Sequence, residues 1–578
     1  MLDGILKSGK FKLMVSVFLF VLFFFSRFPS AILVWYPPIG LDEFAIMSSS
    51  VALFANQFPT NLHIPAGTVS SLLFISYSID FLVTHSSALT SVVHGDFGAM
   101  LCELSKYMAE FFFNPARQLI IGRLIVILIN SLAPLALFLF FRRKGMLGAV
   151  ITALLFVVSP LFFRYSSYLL SDTVAMTFYL FSLITLISIE QLENKKIILS
   201  GVFLGLSISS KFIYLPFIVP AVFLLCSLPL SQGGGKYRER AQAVLLFFIS
   251  FLAPVLIFVP FIWTAPLTLL KAVVGHIFGR NLPGMERSWG LVPKVLISAL
   301  TWPGIFFGML GLFYSFQIFK LKKALFLIFV LIFFLLPAGL TTMFFERYLI
   351  PLLPTCYIYI GLAIHGLIAP PRHRFRVLGV LVIAAGMIFW QAASDAQEIH
   401  KRRRKVIFKQ CSVWIEKFVK PKTSVAIPAD LNEYFIPDEV ALGRALNILQ
   451  DRSRFQSRIS GLFDRANTDG SNLPLSSPLL FAVFGDYEKQ KLFAVETMIW
   501  YLQSGYMKRN AYDIWLYAQE PDLTVISSFQ DIVRKFNEGE IEVIVSKAAI
   551  QELNSYADRL FNQSYGQGLN IYRRTLSN

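Results

Sequence analysis

Long apolar segments are the feature that most restricts what this chain can fold into. Each is long enough, at about 1.5 Å per helical residue, to cross roughly 30 Å of hydrocarbon. Of the 578 residues, 56% are hydrophobic and only 15% are charged, against roughly 25% charged residues in soluble domains. The sequence therefore predicts a polytopic α-helical membrane protein with about eleven spans. The apolar runs lie near residues 11–34, 118–141, 146–163, 173–189, 197–210, 213–230, 242–263, 294–316, 324–343, 349–369 and 377–394.

Basic residues in the connections between these runs predict the orientation. The clusters are Arg142 to Lys144, Lys195 and Lys196, Lys236 to Arg240, Lys320 to Lys323, and Arg372 to Arg376. Positively charged short loops favour the cytoplasmic side. All five clusters lie inside only if residues 35–117 form a first outer loop in which the apolar stretch 66–83 does not cross. We therefore expect 66–83 to be an interfacial or re-entrant helix.

Targeting, charge and cysteine usage restrict the class further. The first apolar run is too long, and lacks the small-residue cleavage site, for a removed signal peptide. The net charge of +17 comes largely from the short loops, which indicates contact with anionic lipid head groups and no nucleic-acid partner. The four cysteines have neither metal-site spacing nor the pattern of a disulfide framework.

The chain changes character after its last apolar run. It becomes polar and contains short β-type runs near 424–427, 479–484, 523–527 and 542–546, a pattern typical of strands. We expect a transmembrane domain over residues 1–395 and a soluble α/β domain over residues 396–578 on the outer face. The expected location is the bacterial inner membrane or its equivalent.

Ionisable residues recur at the predicted outer ends of the spans. Asp42 and Glu43 form an acidic pair directly after the first span, where carboxylates are costly unless solvated, paired or functional. Asp42 could instead be the N-cap of a helix that begins at Glu43. Each residue alone also fits an interface anchor, but acids and bases at one end of one bundle suggest a site. The others are Arg164, Asp172, Lys211, Arg280, Glu286, Arg287 and Arg347.

The order of several short motifs resembles a known group of enzymes. The motifs are Asp42-Glu43, His63-Ile64-Pro65, Arg117 with Arg123, Ser159-Pro160 with Asp172, Ser210-Lys211, and Arg347-Tyr348 with Pro351 and Pro354. They resemble the membrane-embedded GT-C glycosyltransferases that use polyprenyl-phosphate sugars, especially the protein O-mannosyltransferase and lipid A aminoarabinose transferase group. The resemblance covers roughly residues 1–370.

The resemblance implies inverting transfer of a sugar from a polyprenyl-phosphate donor to a hydroxyl of a protein, lipid or glycan. This chemistry needs a base for the acceptor proton and cations for the leaving phosphate. Asp42 would be the base, Glu43 would orient it or the acceptor, and Asp172 would be a second acidic ligand. Lys211, Arg347 and Arg164 would bind the donor phosphate. Asp42 and Asp172 could also hold a divalent metal, and no other cofactor is expected. The implied substrate-binding residues are His63, Tyr348, Arg280, Glu286 and Arg287.

Two other classes remain open from the sequence. A lipid-linked sugar flippase or transporter would also have many spans, but it would place charges near the membrane midplane and show repeated halves. A non-catalytic membrane assembly protein would account for the large C-terminal region.

Overall fold

The structure is a computed structural model. It describes residues 9–33, 67–100, 116–229, 236–259, 288–340, 346–368 and 377–397, single residues such as Glu43 and Tyr107 between them, and six strands between residues 424 and 574. Its α-helices are α1 Gly9–Leu33, α2 Gly67–Thr84, α3 Ser86–Val93, α4 Ala116–Asn130, α5 Leu132–Phe141, α6 Met146–Val157, α7 Pro160–Ser166, α8 Ser171–Ile187, α9 Asn194–Ser210, α10 Ile218–Ser227, α11 Lys236–Phe258, α12 Leu291–Ile318, α13 Leu321–Leu340, α14 Leu353–Ile368 and α15 Val377–Gln397. Three 3₁₀ helices cover Phe212–Phe217, Ser288–Gly290 and Glu346–Leu352.

The prediction of a polytopic helical membrane protein is confirmed. Within the described residues, eight helices are long and apolar enough to cross a membrane, or nine if α6 and α7 form one bent span. The count of eleven is not reached because three predicted runs form helices below span length: α8 and α9 have 17 residues each, and the segment Phe212–Ser227 is also short. The eight include α2, which was not among the eleven predicted spans. Apolar runs in the sequence do not reveal how much of each run becomes one continuous helix.

Helices α8 and α9 form an antiparallel pair that fixes the geometry of one end of the bundle. The Ser182 and Ser200 hydroxyls are 2.9 Å apart, and the Ser207 hydroxyl donates to the carbonyl of Ala175 at 2.8 Å. The start of α8 therefore lies beside the end of α9. Residues 172 and 211, which are distant in sequence, are brought together by this arrangement.

Small residues let α9 approach α11 closely. A Cβ atom on Gly201 would lie 2.7 Å from the carbonyl oxygen of Phe247, and one on Gly205 would clash with the carbonyl oxygen of Phe251. Glycines four residues apart lie on one face of a helix and allow such backbone contact between membrane helices. The close approach of α9 and α11 therefore requires both glycines.

A break separates α6 from α7 near the C-terminal end of the predicted third span, 146–163. The two helices are bent by 57°, and Ser159 is extended with Pro160 at the first position of α7. A residue before proline avoids the α region, and proline is well suited to a helix start. The Ser159-Pro160 pair thus ends one helix and redirects the next, which carries Arg164.

Helix α2 corresponds to the stretch 66–83 that we predict not to cross the membrane. By length and composition it could span. Its contacts with α9 and α11 involve their C-terminal ends, since the Thr68 and Ser209 hydroxyls are 2.5 Å apart and Gly67 packs on Phe258. Tyr77 then donates to the carbonyl of Gln118 in the first turn of α4 at 3.1 Å. These contacts fit an interfacial helix, which stays a prediction.

The core of the helical unit surrounds α14. Leu353, Tyr357, Ile360 and Ile364 of this helix are fully buried, and α14 packs against α6 and α12. The described helices belong to one compact unit, and the strands belong to a second one.

The described strands of the second unit form one six-stranded sheet. They are β1 Ser424–Pro428, β2 Asp513–Ala518, β3 Ser527–Ser528, β4 Val543–Ser546, β5 Ala557–Asn562 and β6 Asn570–Arg574, in the order β3-β2-β1-β4-β6-β5. Strands β1 to β4 pair in parallel, and β6 is antiparallel to β4 and β5. The predicted β-type runs at 424–427 and 542–546 coincide with β1 and β4, whereas the run at 479–484 lies outside the described residues.

Candidate active site

A buried aspartate and lysine face each other where α8 begins and α9 ends. The Lys211 Nζ lies 3.4 Å from the Asp172 Oδ2, and these side chains are only 6% and 3% exposed. Tyr214 donates from its hydroxyl to the backbone carbonyl of Asp172 at 3.1 Å. Within the described residues, Asp172 Oδ2 accepts no hydrogen bond. Since an ammonium group has three donors, the pair keeps hydrogen-bonding capacity for a ligand.

The position of Asp172 is fixed by a polar network around Asn130. The Asn130 side-chain amide donates to the Thr173 hydroxyl at 2.9 Å, and its carbonyl oxygen accepts from the Thr177 hydroxyl at 3.1 Å. All three side chains are fully buried. These hydrogen bonds hold the first turn of α8 against α4, whether or not Asp172 contacts Lys211.

Glu43 forms a second buried ion pair, with Arg123 of α4. The guanidinium donates from Nε to Oε1 at 3.0 Å and from its Nη2 to Oε2 at 2.8 Å. The backbone N–H of Leu169 donates to Oε1 at 2.7 Å, and neither charged side chain is exposed. Glu43 thus joins the predicted first outer loop to α4 and to the loop before α8. This geometry assigns it to positioning the chain.

A third ion pair joins Arg164 of α7 to Glu346, with side chains that are 35% and 42% exposed. Glu346 begins the 3₁₀ helix Glu346–Leu352, in which Arg347 is partly buried and Tyr348 is buried. This 3₁₀ helix packs against both α7 and α8. Arg164 and Arg347, both predicted to bind the donor phosphate, therefore lie on elements next to α8, which carries Asp172 in its first turn.

Five predicted site residues lie outside the part of the chain that the structure describes. Asp42, the predicted base, lies outside the described residues. The same is true of four predicted substrate-binding residues, namely His63, Arg280, Glu286 and Arg287.

Two buried arginines were given no role by the sequence analysis. Arg123 belongs to one of the short motifs but has no predicted role in the site, and Arg27 of α1 belongs to none of them. Arg27 donates to the Ser166 hydroxyl at 3.3 Å and to the carbonyl of Val157, and its guanidinium carbon lies 4.0 Å from the centroid of the Phe23 ring. An arginine within an apolar run is a signal that could have identified both.

The described side chains around Asp172 do not form a suitable site for a divalent metal ion. No group of three or more histidine, cysteine or acidic side chains is suitably placed among the described residues. The Lys211 ammonium at 3.4 Å from the carboxylate would repel a divalent cation. We therefore derive no step through a metal.

A comparison with protein families gives one match. Residues 105–258 match the family model described as dolichyl-phosphate-mannose-protein mannosyltransferase. Over this segment, which is less than half of the chain, the sequence is similar to that family of mannosyltransferases. The matched segment contains Arg123, Arg164, Asp172 and Lys211, whereas the acidic pair at residues 42 and 43 lies before it. The resemblance to polyprenyl-phosphate-sugar glycosyltransferases of the GT-C class is thereby confirmed.

Comparisons with whole proteins give weaker likenesses. The crystal structure of ArnT from Cupriavidus metallidurans bound to undecaprenyl phosphate is 12% identical in sequence, with a TM-score of 0.46 over 97% of this chain and 98% of that one. The apo structure of ArnT from the same organism is also 12% identical, with a TM-score of 0.43 over 96% and 97%. No curated protein sequence matches the chain. The roles of individual residues therefore rest on the contacts described above.

Proposed function

We propose that the chain transfers a sugar from a polyprenyl-phosphate donor to an acceptor hydroxyl, by a single inverting displacement at the extracytoplasmic end of the bundle. The observation that carries the proposal is the buried pair of Asp172 and Lys211, whose 3.4 Å contact leaves hydrogen-bonding capacity on both groups. A desolvated ammonium group is suited to a phosphate that becomes a leaving group, because fixed charges act strongly in a dry site.

In this proposal Lys211 contacts the donor phosphate, and Asp172 holds the ammonium group in place before the donor binds. Arg164 and Arg347, on the neighbouring elements, supply further cations to the phosphate. Guanidinium groups can bind phosphate oxygens in a bidentate manner, whereas Lys211 acts as a point charge. Lys211 cannot be a lysine that reaches to the membrane surface, because its side chain is only 6% exposed.

Asp42 is the proposed general base. It precedes Glu43 in the sequence, and Glu43 is held against α4 by its ion pair with Arg123. The loop that leads into α8 is bonded to the same carboxylate through Leu169. The Glu43 carboxylate thus joins the sequence neighbour of the proposed base to the loop before α8, whose first turn contains Asp172.

The proposed reaction is a single displacement and forms no covalent enzyme intermediate. The Asp42 carboxylate takes the proton of the acceptor hydroxyl, and the acceptor oxygen forms the new bond to the anomeric carbon. The bond from that carbon to the phosphate oxygen breaks, and its electron pair leaves with the phosphate. Lys211 and the two arginines stabilise the charge that develops there.

The remaining predicted roles complete the proposal. Tyr348 and, outside the described residues, His63, Arg280, Glu286 and Arg287 would contact the sugar or the acceptor. Residues 396–578 would form a soluble domain on the same outer face as the site. The acceptor could be a protein, a lipid or a glycan.

The proposal is tested with purified protein in vesicles, a panel of polyprenyl-phosphate sugars, and membrane extracts as acceptor. At least one donor should be consumed with release of polyprenyl phosphate. The variant Asp42→Asn should lower the rate at least about 10²-fold, since it removes the proton acceptor. The control is Asp96→Asn in the same predicted loop, where asparagine can keep the bond that Asp96 accepts from the Ala99 N–H. The proposal fails if both variants transfer equally well, or if the wild-type protein only moves donors across the bilayer.

A further inference from the structure

A group of cations lies at the opposite end of the bundle from Asp172 and Lys211. Helix α8 runs from Ser171, next to Asp172, to Ile187, and Glu190 follows three residues later. Lys323, at the start of α13, lies 3.3 Å from the Glu190 Oε1. Lys144, in the turn between α5 and α6, is close enough to interact electrostatically with both. We call Lys144 and Lys323 the lysine pair.

The lysine pair is partly removed from water and incompletely neutralised. The side chain of Lys323 is 6% exposed, whereas that of Glu190, its acidic partner, is 73% exposed. No carboxylate of the described residues lies within ion-pair distance of Lys144, whose ammonium is 5.0 Å from the Phe319 ring centroid. Burial and, secondarily, the charge of Lys323 lower the pKa of Lys144. One buried and one half-buried ammonium group with one exposed carboxylate are an unfavourable arrangement unless an anion binds.

Further cations surround the lysine pair without adding acidic partners. Arg143 and Lys322 are adjacent in sequence to its members, Lys320 lies three residues before Lys323, and all three are exposed. Lys196 interacts electrostatically with Lys323 but is bonded to its own neighbour Glu193 at 2.7 Å. The local excess of positive charge therefore favours an anionic ligand.

The location indicates which anion would bind. The candidate span Arg117–Phe141 ends just before Lys144, and the span Leu321–Gly339 begins just before Lys323, so the lysine pair is at head-group level. Apolar side chains are exposed at this end of the bundle: Leu147 in the first turn of α6 is 43%, Phe316 in the last turn of α12 is 43%, and Leu321 at the start of α13 is 60% exposed. A molecule with a phosphate for the cations and acyl chains for these side chains would satisfy both surfaces.

We propose that the lysine pair binds the phosphate of an anionic phospholipid head group, with the acyl chains against Leu147, Phe316 and Leu321. Basic pockets between membrane helices bind such head groups. The site is separate from the proposed donor site, because it lies at the other end of α8. Its occupant is a lipid of the surrounding leaflet and not a substrate.

The experiment measures lipid binding to the full-length protein in detergent by native mass spectrometry, with phosphatidylglycerol and phosphatidylcholine as the probes. Wild-type protein should retain phosphatidylglycerol preferentially. The double variant Lys144→Gln and Lys323→Gln should weaken this binding about 30-fold, at about 1 kcal/mol for each lysine near an anionic surface. The charge-matched control is Lys10→Gln with Lys195→Gln, two exposed lysines, which should bind like wild type.

Other outcomes would overturn the proposal. Equal loss in the double variant and in the control would mean a general attraction of positive charge for anionic lipid. Unchanged binding in the double variant would mean that the lysine pair is not the site. If inorganic phosphate displaced the lipid at equal concentration, the ligand would be a free anion. The variant with arginine at both positions keeps the charge, so loss of its lipid binding would also count against the proposal. Donor consumption is measured in parallel and should change little.

Discussion

Replacing Glu43 with glutamine should destabilise the helical unit, although the two side chains have nearly the same size. The Glu43 carboxylate accepts bonds from Arg123 at 2.8 and 3.0 Å and from the Leu169 N–H at 2.7 Å. A glutamine amide offers one acceptor oxygen, and its NH₂ group would face an N–H donor. The variant also removes the carboxylate charge that faces the Arg123 guanidinium in a site with no exposed surface.

The size of the effect follows from this burial. Removing one partner of a buried ion pair costs about 3–5 kcal/mol, whereas exposed substitutions usually change stability by less than about 0.5 kcal/mol. Replacing both Glu43 and Arg123 with glutamine should cost less than the sum of the single variants, because no unbalanced charge remains. The expected coupling energy is about 1–3 kcal/mol.

The assay is equilibrium unfolding in mixed micelles, together with the rate of sugar transfer by the folded fraction. Asp96→Asn serves as the exposed control. Two results would contradict this prediction: a free energy of unfolding for Glu43→Gln equal to that of wild type, or a double variant with a lower free energy of unfolding than the two single variants predict by additivity. In either case the ion pair would not stabilise the contact between the predicted first outer loop and α4.

Two further predictions concern packing and topology. Gly205→Leu should weaken the contact of α9 with α11 by roughly 1–3 kcal/mol through overpacking, because its Cβ would meet the backbone of Phe251. Gly308→Leu, at a helix position with no atom within 4 Å of the added Cβ, should leave unfolding unchanged, and equal effects would contradict the packing argument. Single cysteines at Ser87 and Lys322, in a background without the native cysteines, should react with impermeant reagents from opposite sides. Ser87 should react from the outer side, and its reaction from the cytoplasmic side would show that α2 crosses the membrane, because α2 lies between the cytoplasmic N-terminus and Ser87.

The helical class was predictable from the sequence because apolar runs of span length are a direct consequence of the bilayer. The number of spans was not, since a run such as 146–163 contains the Ser159-Pro160 break and becomes two helices at 57°. Breaks of this kind depend on how a proline is accommodated by its neighbours. Hydropathy does not contain that information.

The candidate site was predictable in its residue types and only partly in its pairings. The sequence predicts Asp172 as a second acidic ligand and Lys211 as a ligand of the donor phosphate, whereas the antiparallel α8 and α9 place the two in one ion pair. Glu43 was expected to orient a base, and its bonds to Arg123 and Leu169 now indicate a positioning role. Partner choice depends on long-range helix contacts, and such contacts leave little trace in a single sequence.

The central claim is that the end of the bundle with Lys211 binds the phosphate of the donor. Its most direct test is a donor titration of Lys211→Met, with Lys195→Met as the exposed control. The account predicts donor affinity lower by about 1.5–3 kcal/mol, the value of a charge-assisted hydrogen bond, with acceptor affinity unchanged and the control like wild type. Unchanged donor affinity in a folded Lys211→Met protein, or a loss confined to the acceptor titration, would contradict the account.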